Sequence, residues 1–459
     1  MKNPLLVPEI REILRKKKFK LLKEFFIDLH EKEVAEYLSM HTPDEIWQII
    51  NVFEPNRRAE IFTYMDMDVQ VAMIVSGARE KVRDLLLPMS NDDRADLFKH
   101  LEKNVADKLL LFLPPKERTD ILSLTSYREG TNGAIMTTDF VDLNENDTVE
   151  NAIRKIRRFA PSKETIYYNY VTADDNTLLG FISLRKLIVS KPKEKLGQLM
   201  KTDMITTGVD EDQEVAANLI QEYDLIAIPV IDMQHRIIGI ITYDDAIDII
   251  QDEQTEDMER LMGISGAVSE KTYLEVPVMN HFKKRVVWVI ILGGFGLLTG
   301  MIIQGFQSTL EALIVLSFYM PLLNAAGGNT GSQSATVVLR SLSLNELKSE
   351  DIFRVIKKEF AISFLLSICL ALMTYGRVML FSQGEDIPVQ FSISLIAFVI
   401  SLALAIQVIW STVFGAIIPI LATKMKIDPA VFSSPALATL VDMGGITIYF
   451  TCAKLILGI

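Results

Sequence analysis

Apolar residues along positions 1–132 recur three and four apart, as in Leu21, Phe25, Phe26 and Leu29, which is the period of amphipathic helices. One pattern repeats: Arg58-Ala-Glu-Ile-Phe62, Arg94-Ala-Asp-Leu-Phe98 and Arg118-Thr-Asp-Ile-Leu122. Each copy follows a helix-start signal, Glu54-Pro55-Asn56, Ser90-Asn91-Asp92 or Pro114-Pro115. A unit that cannot cover its own apolar stripe, used repeatedly, predicts stacked helices in an all-α superhelix. From 133 the period shortens. β-branched runs (Ile226-Ala-Ile-Pro-Val-Ile231, Ile237-Ile-Gly-Ile-Ile-Thr242) alternate with helical stretches, and the unit occurs twice. Met136-Thr-Thr-Asp139 answers Met200-Lys-Thr-Asp203, and the stretch Leu178 to Leu187 answers Ile237 to Ala246. Tandem α/β domains are expected at 133–196 and 197–246.

Residues 247–280 read as a join: a helix-compatible acidic stretch ending near Gly263 and Gly266, then the basic cluster Lys283-Lys-Arg285. Beyond it, 281–459 contains five apolar segments, roughly 286–306, 312–339, 359–381, 389–423 and 429–457. Each reaches the ~20 residues needed to cross a hydrocarbon layer. The third is bounded by Glu359 and Arg377, and the fourth has room for a kink at Pro419.

Charge sharpens this division. Residues 1–280 carry 35 basic and 50 acidic residues, a net of -15, while 281–459 carry twelve and nine, a net of +3. An acidic soluble half fused to an apolar half excludes a purely soluble enzyme, a disordered chain and a nucleic-acid binder with a basic face. In a five-span arrangement Lys283, Lys284, Arg285, Arg340, Lys348, Arg354, Lys357, Lys358, Lys424 and Lys426 fall on one side, and only Arg377 and Lys454 on the other. The positive-inside rule then places the N-terminal domains in the cytoplasm and the C-terminus outside a multi-pass plasma-membrane protein. Cys369 and Cys452 have no metal-site spacing and read as buried small hydrophobes.

Two apolar segments break the rules of lipid. The second contains Pro321-Leu-Leu-Asn-Ala-Ala-Gly-Gly-Asn-Thr-Gly-Ser-Gln-Ser-Ala-Thr336. Small residues permit close helix contact, but Asn324, Asn329 and Gln333 together suit a water-filled path. The fifth contains Pro435-Ala-Leu-Ala-Thr-Leu-Val-Asp442-Met-Gly-Gly-Ile-Thr-Ile-Tyr-Phe450, with Asp442 the sole charge between Asp428 and Lys454. A carboxylate at that depth costs about 2.5–3.5 kcal/mol on insertion scales and marks a pathway or relay by default. A structural aspartate, paired with a hydroxyl or protonated, is the competing reading. No basic residue in a span offers itself as partner, so Asp442 reads as a cation site. Amides, carbonyls and one carboxylate form an all-oxygen site that favours Mg, Ca or Mn, and few protein ligands suit Mg, which keeps its waters. In a dimer two copies of Asp442 would face one ion across a twofold axis.

The soluble half offers a second set of acids. Asp92, Asp93 and Asp96 start a helix; Asp212, Glu214, Asp224, Asp245 and Asp248 lie in the second α/β domain; Glu253, Glu256 and Asp257 follow. Alone these read as a solvated surface. Beside an intramembrane cation site they suggest carboxylates that repel until divalent ions bridge them.

Pro321, Gly327-Gly-Asn-Thr-Gly-Ser-Gln333, Pro435, Thr439-Leu-Val-Asp442 and Tyr449-Phe450, with this order of parts, resemble the MgtE family of magnesium channels and transporters. The resemblance covers nearly the whole chain: helical N domain, two CBS domains, a linking helix that plugs the pore, and five spans. It implies a homodimer with a pore lined by the second and fifth spans, and Mg2+ held by Asp442 with Gly328 and Asn329 nearby. It implies sensor positions at Asp212, Glu214, Asp224, Asp245, Asp248, Glu253, Glu256 and Asp257, with Asp92 and Asp96 as N-domain counterparts. It also implies ATP at the first CBS domain, near Tyr168, Ser183 and Arg185. Lys186, however, stands where an acidic residue would grip the ribose, which works against ATP.

The expected function is therefore Mg2+ influx down the membrane potential, closed by cytoplasmic Mg2+ at the acidic N/CBS/plug interface. The chain is not expected to be an enzyme: no HExxH lies in a span and no Walker A sequence is present. The alternative is a proton-coupled divalent-cation (Mg/Co/Mn) carrier with CBS regulation.

Overall fold

Prolines, hydroxyl residues and acids punctuate the first 130 positions, and in the computed structural model they open helices. The structure describes residues 7–264, 266, 273–274, 276–343, 346–382, 391–427 and 429–459, without the side chains at 7, 349, 429–436 and 438. Part of the expected join at 247–280, the start of the fourth expected span and the side chain of Pro435 lie outside these. The chain divides into two compact units, Met1–Glu253 and Gln254–Ile459.

The first unit begins with ten helices: α1 (Val7–Arg15), α2 (Phe19–Phe26), α3 (Glu31–Leu38), α4 (Pro43–Ile50), α5 (Pro55–Thr63), α6 (Met67–Ser76), α7 (Arg79–Leu86), α8 (Asn91–His100), α9 (Lys103–Leu110) and α10 (Pro115–Leu124). Pro55 and Pro115 open their helices, where a missing N–H costs nothing. The repeated arginine closes the turn before its own helix. Arg58 Nη2 donates to Phe53 O (3.1 Å), Arg94 Nε to Ser90 O (3.3 Å) and Arg118 Nε to Leu110 O (2.9 Å). The apolar stripes share one core through Leu22, Phe26, Ile46, Ile50, Phe62, Leu86 and Leu97.

The two α/β domains have the same plan. After α11 (Asn132–Ile135), the first is β1 (Asp142–Asn144), α12 (Val149–Phe159), β2 (Tyr168–Thr172), β3 (Leu178–Ser183) and α13 (Leu184–Val189). After α14 (Leu196–Leu199), the second is β4 (Thr207–Gly208), α15 (Gln213–Glu222), β5 (Ala227–Ile231), β6 (Ile237–Thr242) and α16 (Tyr243–Leu261). In each sheet the first strand runs parallel to the second and the second antiparallel to the third. The register breaks at matching places, Val171/Thr172 and Val230/Ile231. One difference from expectation is that no helix starts at 247. The last helix of the second domain and the linking helix are the single helix α16, because nothing between Tyr243 and Leu261 breaks the 3.6-residue period. It ends where Gly263 takes φ +69 and Ile264 N donates to Glu259 O (2.8 Å), a left-handed glycine stop.

The second unit contains α17 (Val278–Gly305), α18 (Gln307–Ala312), α19 (Met320–Ser343), α20 (Ile352–Phe381), α21 (Ile393–Lys424) and α22 (Pro429–Leu457). Among the described residues four helices are long and apolar enough to cross a membrane: α17, α20, α21 and the Thr439–Leu457 part of α22. Helix α19 has 24 residues, but its amides and glycines keep its hydropathy below theirs. The second expected span also differs in its start. Instead of one helix from 312 there is α18, a 3-10 segment Ile314–Tyr319, and then α19 with Pro321 as its second residue. Leu313 (φ -148, ψ 84) breaks the helix there.

Helix α21 is central and packs against α19, α20 and α22. Glycines set the spacing. Gly415 lies so close to the Gly331 carbonyl that no Cβ fits, and Gly444 sits under the Trp410 ring in the same way. Glu359 and Arg377, expected to bound the third span, both lie inside α20. Arg377 is placed over the Tyr319 ring, 4.9 Å from its centroid, which offsets part of its charge. Cys369, expected to be buried, is exposed on the same helix, and Cys452 is half-buried.

Candidate functional site

Helix α19 has two unlike faces. Leu323, Gly327, Thr330, Gly331, Ser334 and Val338 are buried. Three side chains clasp that face: Gln407 Nε2 donates to Leu323 O (3.1 Å), Ser411 Oγ to Gly327 O (2.5 Å), and Ser334 Oγ to Glu359 Oε2 (2.8 Å). The opposite face carries Asn329, Ser332, Gln333 and Thr336, all exposed, and nothing stands within 4 Å of where a Cβ on Gly328 would lie. Polar side chains facing outward from a membrane helix require water or protein against them. Asn324 is different: it is only partly exposed, and its Oδ1 is buried without a hydrogen-bond partner.

Asp442 comes to this helix through α22. A Cβ on Gly327 would lie 3.0 Å from Val441 Cγ1, so the residues before Gly328 and before Asp442 touch. Depth agrees. Asn329 lies 14 residues from the end of α19 at Ser343, and Asp442 lies 13 from the start of α22 at Pro429. At 1.5 Å per residue both are about 20 Å from those ends. Asp442 has no ion-pair or hydrogen-bond partner among the described residues. Tyr449 and Phe450 position the assembly rather than line it. Tyr449 Oη donates to Leu316 O (2.8 Å), fixing the segment before α19, and Phe450 stacks on Phe306 (5.1 Å).

In the first unit, Ala95 of α8 shares a core with Ile228, Ile241 and Ala246 of the second α/β domain. Asn91 Nδ2 donates to Thr138 Oγ1 (2.7 Å) and Lys99 Nζ to Ala134 O (3.1 Å), fastening the same helix. This packing brings Asp92 and Asp93 into electrostatic reach of Asp245 and Glu164. The Asp92 carboxyl is pushed well above its usual range by burial first, then by Asp93, Asp245 and Glu164, and its Oδ1 is buried without a partner. Asp93 is raised by burial, against an opposing hydrogen bond from Ser90 Oγ (2.6 Å). Burial lifts Asp245 to about 6, although it accepts Thr242 Oγ1 (2.6 Å). Glu164 has an exposed surface, yet loss of hydration and then repulsion from Asp245 and Asp244 raise it to about 7. Glu164 was not legible as a site residue, because it lies in the first α/β domain and meets the others only through folding.

The remaining predicted acids are placed separately. Asp96 pairs with Lys99 (2.7 Å). Asp212 caps α15, accepting Glu214 N (3.0 Å), and Asp212, Glu214, Asp224 and Asp248 are exposed. Glu253 accepts Gln213 Nε2 (2.9 Å), and Glu256 pairs with Arg260 one turn on. Asp257 is partly buried on the same helix. Among the described residues no three His, Cys, Asp or Glu side chains are placed to hold one metal ion.

At the expected nucleotide site Tyr168 pairs with Ser183 across the β2–β3 ladder, and Arg185 is exposed. Ser183 Oγ accepts Lys186 N (3.2 Å) as the cap of α13. Arg185 and Lys186 fit phosphates; the motif position occupied by Lys186 presents no acceptor for ribose hydroxyls.

Together, a helical domain, tandem CBS-type α/β domains and a polar-faced helix beside an aspartate with no partner among the described residues define a regulated membrane cation transporter. Family profiles agree: "Divalent cation transporter" matches residues 320–452, "MgtE intracellular N domain" 29–130, and "CBS domain" 133–191 and 196–252. The magnesium transporter MgtE of Thermus thermophilus is 32% identical over 98% of both chains. That of Bacillus subtilis is 33% identical over 93% of this chain and 89% of its own. The chain belongs to the MgtE family. Its soluble half is similar to the crystal structure of the soluble part of a magnesium transporter (32% identity, TM-score 0.50, 54% of this chain, 97% of that one). It is also similar to the cytosolic domain of the Mg2+ channel MgtE in complex with ATP (29% identity, TM-score 0.50, 53% of this chain, 100% of that one).

Proposed function

We propose that this protein carries Mg2+ across the membrane into the cytoplasm and is closed by cytoplasmic Mg2+. The observation that supports the reading is the contact of Gly327 with Val441, the residues that precede Gly328 and Asp442. The ion keeps its waters: amides and carbonyls of α19 accept from them, and Asp442 supplies the one full charge. The exposed polar face of α19 is completed by a second copy, so the working form is a homodimer with Asp442 from each chain facing one ion. With α19 counted as a fifth membrane-crossing helix beside the four apolar ones, the C-terminus lies outside. An inward-negative potential, worth about 2.3 kcal/mol per elementary charge per 100 mV, drives influx without an ATPase.

In the soluble half, Asp92 with Asp245, and the acids of α15 and α16, repel when Mg2+ is scarce and are bridged when it is abundant. Loosening opens the path and bridging holds it shut through α16. ATP is not needed for this cycle, and Lys186 removes the ribose grip.

The test is Asp442→Ala in a magnesium-transport-deficient strain. The variant should assemble in the membrane and fail to support growth at low magnesium; normal growth would sink the assignment. One observation favours a proton-coupled divalent-cation carrier instead: Glu359, a second carboxylate buried within the membrane unit. Magnesium flux that follows an imposed proton gradient would select that reading.

A further inference from the structure

Beside the proposed cation site lies an amide with no role in carrying charge. Gln407, near the middle of α21, is 0% exposed, and its Nε2 donates to Leu323 O of α19 (3.1 Å). Among the described residues its Oε1 is buried without a hydrogen-bond partner. Both helices of the path give up a side chain to admit this amide. A Cβ on Gly327 of α19 would stand 2.6 Å from Nε2, and one on Gly445 of α22 would overlap the same group. Gly327 adjoins Gly328, and Gly445 is less than a turn beyond Asp442. Methionine would fill the same space without leaving a carbonyl oxygen dehydrated and unpaired, so apolar packing does not account for a glutamine.

We propose that Gln407 is a positioning residue for the cation site, fixing the spacing of α19 and α22 at Asp442 and thereby which hydrated divalent cation passes. This rests on the reading of Asp442 as the cation site. Discrimination between Mg2+ and a larger ion depends on cavity size and ligand rigidity. A side chain wedged between the two lining helices, and tied by hydrogen bond to one of them, acts on both.

The experiment uses the full chain in liposomes, with uptake of Mg2+, Mn2+ and Ca2+ measured separately for Gln407→Met. The expected result is a several-fold fall, up to about tenfold, in the Mg2+:Ca2+ and Mg2+:Mn2+ ratios, the equivalent of one hydrogen bond. Equal scaling of all three fluxes, or no change, overturns the proposal, because a merely structural amide would lower assembly without altering ratios. If the Met variant does not assemble, Gln407→Asn, one methylene too short to reach Leu323 O, is measured by the same ratios. Asp442→Ala runs in parallel. Uptake surviving there would overturn the cation-site reading and this proposal with it. Lost uptake there, with unaltered ratios for Gln407→Met, would overturn this proposal alone.

Discussion

Val441 of α22 rests against Gly327 of α19 so closely that even a methyl group on the glycine would come within 3.0 Å of Val441 Cγ1. Gly327→Ala should therefore overpack the helix contact, at about 1–3 kcal/mol, and lower the melting temperature of the purified protein. Gly328→Ala meets no atom of its own chain. It should keep the melting temperature while reducing Mg2+ uptake. Equal melting losses in both variants would contradict the two-faced description of α19.

The clasp from Ser334 to Glu359 makes a separate prediction. Glu359→Gln keeps an acceptor for the hydroxyl and should melt near the parent. Glu359→Leu orphans a buried hydroxyl and should cost about 1–3 kcal/mol, read by thermal unfolding in detergent. If Mg2+ is carried without protons, the Gln variant should also show the parent's flux at every external pH.

Neutralising Asp92 or Asp245 removes one side of the proposed bridge. Asp92→Asn and Asp245→Asn should each raise the cytoplasmic Mg2+ needed to close the path by about tenfold or more, the scale of a charge-assisted bond. Current recorded from inside-out patches while Mg2+ is stepped tests this. Closure at the parental concentration would remove these residues from the sensor.

Acidity should partly replace magnesium. The carboxyls of Asp92, Asp93, Asp245 and Glu164 are all raised. A folded form that binds protons more tightly than the unfolded chain loses stability as pH rises from the ordinary carboxylate range through the raised values. With divalent ions chelated, resistance of the soluble half to protease should thus be greatest at about pH 4 and decline as pH rises through about 6 to 7, where Asp245 and Glu164 ionise. Added Mg2+ should restore it at pH 8 and matter little at pH 5. Flat resistance across that range would show that these carboxyls do not repel.

Periodicity made much of this legible. Helix starts at Pro55, Asn91 and Pro115 follow from local chemistry, and the duplicated α/β pattern appears as duplicated sheets with the same bulge. Asp442 stood out because a carboxylate in an apolar run has no local explanation. Gln407, Glu164 and the inward turn of Glu359 were not legible. Their surroundings are assembled from residues 84, 81 and 25 positions away, Leu323, Asp245 and Ser334 among them. Asp96 with Lys99 and Glu256 with Arg260 stand at i,i+3 and i,i+4 spacing within their own helices, pairings that sequence spacing itself offers. The break at Leu313 was hidden: the run from 312 to 323 is apolar whether it is one helix or three short pieces.

The outward polar seam of α19 bears on how the protein is made. A newly inserted copy presents Asn329, Ser332, Gln333 and Thr336 where acyl chains would otherwise lie, and hydrocarbon offers those groups nothing to bond. In the proposed homodimer the bilayer would thus act as a proofreader during biogenesis, since a chain without its second copy would remain a poor guest in lipid.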